Sequence, residues 1–264
     1  MRLKPFIFLL LIFALTGCES GRPEDQANTE TEKVAQPAPA DTSKAEPAEE
    51  NFPYLNNENA EAFLREYAEK INSRKIALTT RYGTLKIRLF EDTPLHTANF
   101  LMMIERNYFT GTEFTRIVED FVVQGGNSER ESDEIKRLVI GNYLIPSEIN
   151  DRHIHRKGAL AMARRYENNP EKKSSAYDFY LVAGRTFNDA QLTALENQHE
   201  MTFPEWRRKV YRTAGGAPHL DGQHTVFGMV TEGFEVLERM AKTPTDESDW
   251  PLESLIMEMT VLDE

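Results

Sequence analysis

Residues 114–126 read Phe114-Thr115-Arg116-Ile117-Val118-Glu119-Asp120-Phe121-Val122-Val123-Gln124-Gly125-Gly126. One arginine, apolar residues at alternating positions, a glutamine and a glycine turn predict two short strands, at 112–118 and 120–124. Upstream, Ile76 and Leu78 alternate with polar neighbours, Tyr82-Gly83 supplies a turn, and Leu85, Ile87 and Leu89 resume the alternation. Thr93-Pro94 reads as an N-cap and first helical position, opening a helix through Arg106. Downstream, short strands fit 159–163, 177–182, 225–230 and 254–261, with a helix near 233–242. Short strands at modest spacing with two enclosed helices predict a mainly β protein. A closed antiparallel barrel fits this order better than a parallel βαβ sheet.

Two helical additions flank that pattern. Ala60, Phe63, Leu64, Tyr67, Ala68 and Ile71 recur at helical spacing, predicting a helix at 58–72 inside an N-terminal extension, 51–74. Residues 185–212 interrupt the strands and look helical. Asp189 or Asn188 would cap one segment, and Thr202-Phe203-Pro204-Glu205 has capping-box spacing for a second.

The 264 residues carry 31 Lys and Arg against 43 Asp and Glu, a formal net charge of −12, and 40% are hydrophobic. That balance argues against electrostatic capture of nucleic acid. The single cysteine excludes intrachain disulfides and Cys-rich metal sites.

Residues 1–17 read as a signal peptide: Arg2 and Lys4, then ten apolar residues from Phe6 to Leu15. Ten helical residues rise about 15 Å, half the hydrocarbon core, too short to span it. Leu15-Thr16-Gly17-Cys18 resembles the bacterial lipobox, which implies cleavage before Cys18 and its lipidation. The expected location is the bacterial cell envelope, with the outer membrane facing the periplasm as the expected site. Residues 19–50 hold nine acids against three bases, four prolines and six alanines. Such a stretch cannot bury enough surface to offset its ordering entropy, so 18–50 is expected to be a lipidated cysteine and a disordered acidic linker.

The chain contains no Walker loop, HExxH, GxSxG or dinucleotide fingerprint. His153-x-His155 is a pair in a polar stretch, and Asp221, His219 and His224 lie close together without a serine motif. Neither pattern predicts a metal or a hydrolytic triad.

The segment quoted first resembles the FHRI…F…QGG stretch of the cyclophilin-type peptidyl-prolyl isomerases. The resemblance continues in order through Tyr82-Gly83, Pro94 with Asn99-Phe100, and Gly158-Ala159-Leu160-Ala161-Met162-Ala163. Ser174-Ser175 with Phe179-Tyr180 follow, then Leu220-Asp221-Gly222-Gln223-His224-Thr225-Val226-Phe227-Gly228. It implies that 75–264 is a closed eight-stranded antiparallel barrel capped by two helices, a prolyl isomerase assisting folding in the envelope. It implies no cofactor, proline-containing polypeptides as partners, and a monomer. Arg116 would be the catalytic donor, with Gln124 holding its guanidinium. Phe121, Val122, Tyr180, Leu220 and His224 would line the proline pocket, and Ala163 and Arg164 would offer backbone groups to the peptide. Phe227 and Ile117 are expected in the core.

Five positions depart from the family pattern. Asp178 stands where glutamine is usual and is expected to face the site and pair with Arg164. Arg164-Arg165 replace small residues, His219 a tryptophan or phenylalanine, and Val122 a methionine. These departures leave a second reading open, a proline-peptide-binding module or holdase of low turnover.

Overall fold

The computed structural model describes residues 52–263. The expected signal peptide, Cys18 and acidic linker lie outside the described residues. Chain order begins with β1 (Leu55–Asn56) and α1 (Ala60–Ala68), then the hairpin β2 (Lys75–Thr80) and β3 (Gly83–Leu89). Next come α2 (Pro94–Glu105), β4 (Glu113–Val118), β5 (Val122–Gly125) and α3 (Glu131–Ile140). β6 (Gly141–Asn142), β7 (Leu144–Ile145), β8 (Ala159–Met162), β9 (Ser174–Ser175) and β10 (Phe179–Val182) follow. The insertion supplies α4 (Asp189–His199) and α5 (Glu205–Thr213), leading to a 3-10 turn at Pro218–Leu220. β11 (Val226–Glu232), α6 (Phe234–Ala241), β12 (Leu255–Ile256) and β13 (Glu258–Leu262) complete the order.

Nine strands form one antiparallel sheet in the order β12-β4-β5-β10-β8-β11-β3-β2-β13. Its two edges, β12 and β13, are consecutive in sequence, so the sheet curls into a nearly closed barrel. The expected last strand is broken at Met257, where its ladder passes from β4 to β2. Met257 bonds sideways there, its N–H donating to Thr112 O and its carbonyl accepting from Gly111 N. That break turns the expected eight strands into nine.

The barrel interior is aromatic. Phe100 meets Phe179 edge-on at 5.2 Å between centroids, Phe109 meets the same ring at 5.4 Å, and Phe227 lies 5.2 Å from Phe100. All four are fully buried, each contributing roughly 1.5–3 kcal/mol by leaving water. The two expected capping helices are α2 and α6. α6 packs on β3, β4 and β5; α2 packs on β13 and β11 and is covered by α1, so its residues from Leu95 to Ile104 are all buried.

α2 lacks a side-chain cap from Thr93. Glu148 caps it from afar: Oε1 accepts from Leu95 N and Oε2 from His96 N, both at 2.9 Å. The extension is pinned by a parallel pairing of β1 with β6, so close that a Cβ on Gly141 (φ +129°) would lie 1.8 Å from Leu55 O.

Two local expectations change. α3 was not foreseen: only Asp133 and Ile140 are buried in it, so no apolar stripe marks it, although Glu131, Asp133 and Glu134 suit the dipole of its first turn. The capping box belongs to α4, where Asn188 and Gln191 bond reciprocally. Pro204, with no capping side chain, precedes α5.

Candidate active site

The four-residue strands at the centre of the sheet are buried on both faces. Val123, Leu160, Met162, Phe179 and Leu181 point into the barrel, while alternate residues join a second apolar cluster. That cluster gathers Val122, Ala161, Ala163, Tyr180, Val182 and Leu220, with Phe121 packed against it. The expected pocket residues thus come together from β5, β8, β10 and the 3-10 turn. Ile117 and Phe227 lie in the barrel core, as expected.

His224 closes this floor. Its ring meets Tyr180 edge-on at 5.5 Å. Nδ1 lies 3.2 Å from Met162 O and Nε2 lies 2.8 Å from the Tyr166 hydroxyl. A carbonyl can only accept, so Nδ1 carries the proton and Tyr166 donates to Nε2. Burial, aided by the nearby His155, lowers the His224 pKa to about 3, so the ring is neutral at physiological pH. Tyr166 was not foreseen; it lies in the loop following Arg164, with no periodic signal.

Arg116 stands at the rim, its side chain 43% exposed, with Cζ 5.9 Å from the centre of the Phe121 ring. Its expected holder is not its partner. Arg116 Nε and Nη2 each lie 3.2 Å from Asp249 Oδ2, on the loop between α6 and β12. The ladder explains how this loop is placed: Ile117 N donates to Asp249 O at 2.9 Å, and Asp246 Oδ1 accepts from Ser248 N and Trp250 N. Asp249 takes a left-handed φ of +64°, which aspartate tolerates better than most residues. No local sequence signal joins two positions 133 residues apart.

Gln124 bonds Asp178 instead. Its Nε2 donates to Oδ1 at 3.0 Å and Oδ2 at 3.2 Å. Burial raises the Asp178 carboxyl to about 6, partly countered by that amide. The expected Asp178–Arg164 pair is also absent among the described residues. Arg164 Nε donates to Gln223 O at 2.6 Å and Nη2 to Gln223 Oε1 at 3.2 Å, while its Cζ lies 4.2 Å from the centre of the Tyr166 ring.

The Ala163 backbone is already engaged within the fold. Its N–H donates to Asp178 O at 2.7 Å and its carbonyl accepts from Ser175 N at 2.8 Å. Arg164 differs: among the described residues its backbone N–H and C=O have no intramolecular partner.

His219 stacks on Phe121 at 5.2 Å and on His199, from the C-terminal end of α4, at 5.9 Å. Burial first, then the neighbouring His199 and His155, lower its pKa. The insertion therefore reaches the pocket rim. The His153 and His155 rings part company: His153 stacks on Phe90 and bonds Asp92, whereas His155 is buried beside Asp221.

What the arrangement can hold is an apolar ring against a dry floor, with a guanidinium at its rim and one free backbone unit beside it. Residues 75–261 match the family described as cyclophilin type peptidyl-prolyl cis-trans isomerase/CLD. A Staphylococcus haemolyticus protein named "Putative peptidyl-prolyl cis-trans isomerase" is 28% identical over 209 residues, 79% of this chain and 96% of that one. A crystal structure of a Cryptosporidium parvum cyclophilin type peptidyl-prolyl cis-trans isomerase is 22% identical, with a TM-score of 0.52 over 72% of this chain and 98% of that one. The same protein was also solved in the presence of the dipeptide Ala-Pro, with a TM-score of 0.51. The family match spans most of the chain and the barrel agrees with it: this chain belongs to the cyclophilin-type peptidyl-prolyl cis-trans isomerases.

Proposed function

We propose that the chain isomerises X–Pro bonds of folding polypeptides in the bacterial envelope, without covalent chemistry, and that Arg116 is its donor. The X–Pro bond has a barrier of about 18–20 kcal/mol because the nitrogen lone pair conjugates with the carbonyl. Lowering it needs no nucleophile. It needs a pocket that fixes the ring and a donor that favours the twisted amide over the planar one. The observation that carries this reading is the placement of the Arg116 guanidinium over the Phe121 ring, at the rim of the cluster of Val122, Tyr180 and Leu220.

The prolyl ring packs against Phe121, Val122, Tyr180, Leu220 and His224. The peptide backbone bonds the free N–H and C=O of Arg164. Asp249, in place of Gln124, orients the guanidinium. The Ala-Pro dipeptide present with the Cryptosporidium protein supports proline-containing peptides as the ligand class here. An isomerisation assay on short X–Pro peptides with the full chain tests the reading: turnover is expected, and saturable binding without turnover would favour the holdase reading.

The lipobox resemblance at Leu15–Cys18 supports attachment to the envelope membrane through Cys18, beyond the described residues. Cys18→Ser is expected to abolish the acyl mass on the N-terminal peptide and to release the protein from the membrane fraction or leave its signal uncleaved. Unchanged partitioning would contradict the anchor.

A further inference from the structure

One buried carboxylate ties the helical insertion to the pocket floor. The Asp221 side chain is 4% exposed, and every group facing it is a donor. Oδ1 lies 2.8 Å from the His155 backbone N and 3.2 Å from His155 Nδ1. Oδ2 accepts the Tyr211 hydroxyl at 2.8 Å, with Arg207 Nη1 at 3.8 Å. Tyr211 and Arg207 both come from α5.

The chain of contacts continues into the site. His155 Nε2 lies 3.0 Å from the Tyr180 hydroxyl, and the two rings run nearly parallel, 17° apart. His155 Nδ1 lies against Asp221, which turns the other ring nitrogen, Nε2, toward the Tyr180 hydroxyl. Burial raises the pKa of both Tyr180 and Tyr211, so each hydroxyl keeps its proton. A phenylalanine at 180 would fill the same space but lack the hydrogen bond that fixes the ring. The hydroxyl makes the difference: buried, it requires His155, which Asp221 orients and Tyr211 helps to hold.

We propose that Tyr211 is a positioning residue for the isomerisation, acting through Asp221 and His155 to fix the Tyr180 ring and so the shape of the proline pocket. The proposal rests on Tyr180 being a wall of that pocket. The insertion then contributes to substrate fit, although it lies outside the barrel.

A double-mutant cycle on the full chain tests this, with kcat and KM measured on an X–Pro peptide and thermal midpoints recorded. Tyr211→Phe removes one oxygen and keeps the ring that packs with Phe203. The expected result is a KM rise of about threefold with kcat within about twofold. Tyr180→Phe is expected to raise KM similarly, and the double variant by no more than the larger single change, because each cuts the same chain. Asp221→Asn with Tyr180→Phe gives a second cycle should Tyr211→Phe not fold. Single effects that multiply in the double variant, or a Tyr211→Phe enzyme with unchanged KM and lowered thermal midpoint, would overturn the proposal. Tyr180→Ala separates the two levels. If it leaves KM unchanged, Tyr180 is no pocket wall and the site reading itself falls; if it raises KM while Tyr211→Phe does not, only the positioning role falls.

Discussion

Arg116 and Gln124 are partners across the β4–β5 ladder, yet their side chains engage different carboxylates, Asp249 and Asp178. Arg116, the proposed donor, is thus held from the loop preceding β12, outside the strand pair that carries it. The Arg116–Asp249 pair is 43% and 41% exposed, so it contributes only about 0–1 kcal/mol to stability, and its value lies in geometry.

Asp249→Asn should therefore lower kcat/KM by about threefold, with a change in stability below about 0.5 kcal/mol. A rise in kcat/KM would instead mean that Asp249 restrains the donor. Isomerisation kinetics alongside a urea melt distinguish the two.

Asp178 makes stability depend on pH in an unusual direction. Its folded pKa of about 6 lies above the ordinary aspartate value of 3.8, so the folded state binds more protons than the unfolded state between those values. Its contribution is fully present below about pH 4 and is lost as pH rises through about 6. Asp178→Asn should be more stable than the parent at pH 7.5, by up to about 3 kcal/mol, with the gain vanishing near pH 4. Urea melts across that range check it; a gain independent of pH would contradict the assignment.

Glu148 supports a different part of the molecule. Besides capping α2, its Oε2 lies 2.6 Å from Nδ1 of the fully buried His96, whose Nε2 meets Ser174 Oγ at 2.9 Å. Glu148→Ala leaves two helix N–H groups and a buried imidazole nitrogen without that partner. The expected loss is roughly 2–4 kcal/mol in chemical denaturation, with kcat per folded molecule unchanged. A loss below about 0.5 kcal/mol would show that water replaces the cap.

His219 bears on inhibition. In family members sensitive to cyclosporin, a tryptophan at the matching place lends an indole N–H and a broad apolar face. Here a smaller imidazole sits between Phe121 and His199. Losing a hydrogen bond and part of an aromatic contact, each about 1 kcal/mol, implies cyclosporin binding weaker by one to two decades. His219→Trp should recover part of it. Nanomolar inhibition of the unmodified protein would contradict the placement of His219.

The barrel was legible because strand alternation at Ile76–Leu89 and the Thr93-Pro94 helix start are local signals, and the structure returns β2, β3 and α2 at those places. The apolar pocket was legible through ordered motifs, and Val122, Tyr180 and Leu220 do converge. Partner choice was not. Asp249, Tyr166 and Tyr211 reach the site from loops and from the insertion, where spacing carries no information about contact. Gln124 and Asp178 pair because β5 and β10 are ladder neighbours that bring the amide against the carboxyl, a consequence of three-dimensional packing. α3 escaped notice because Ile135, Leu138 and Val139 face outward, so its pattern lacks an inward stripe.

Arg116→Lys tests the central claim most directly. Lysine keeps the charge but loses the planar fork that Asp249 grips and that the twisted amide needs. The expected result is a fall in kcat/KM of at least about tenfold on an X–Pro peptide, about 1.4 kcal/mol of transition-state stabilisation, with the fold intact. Near-parental turnover in the folded lysine variant would contradict it and place the chemistry on another group.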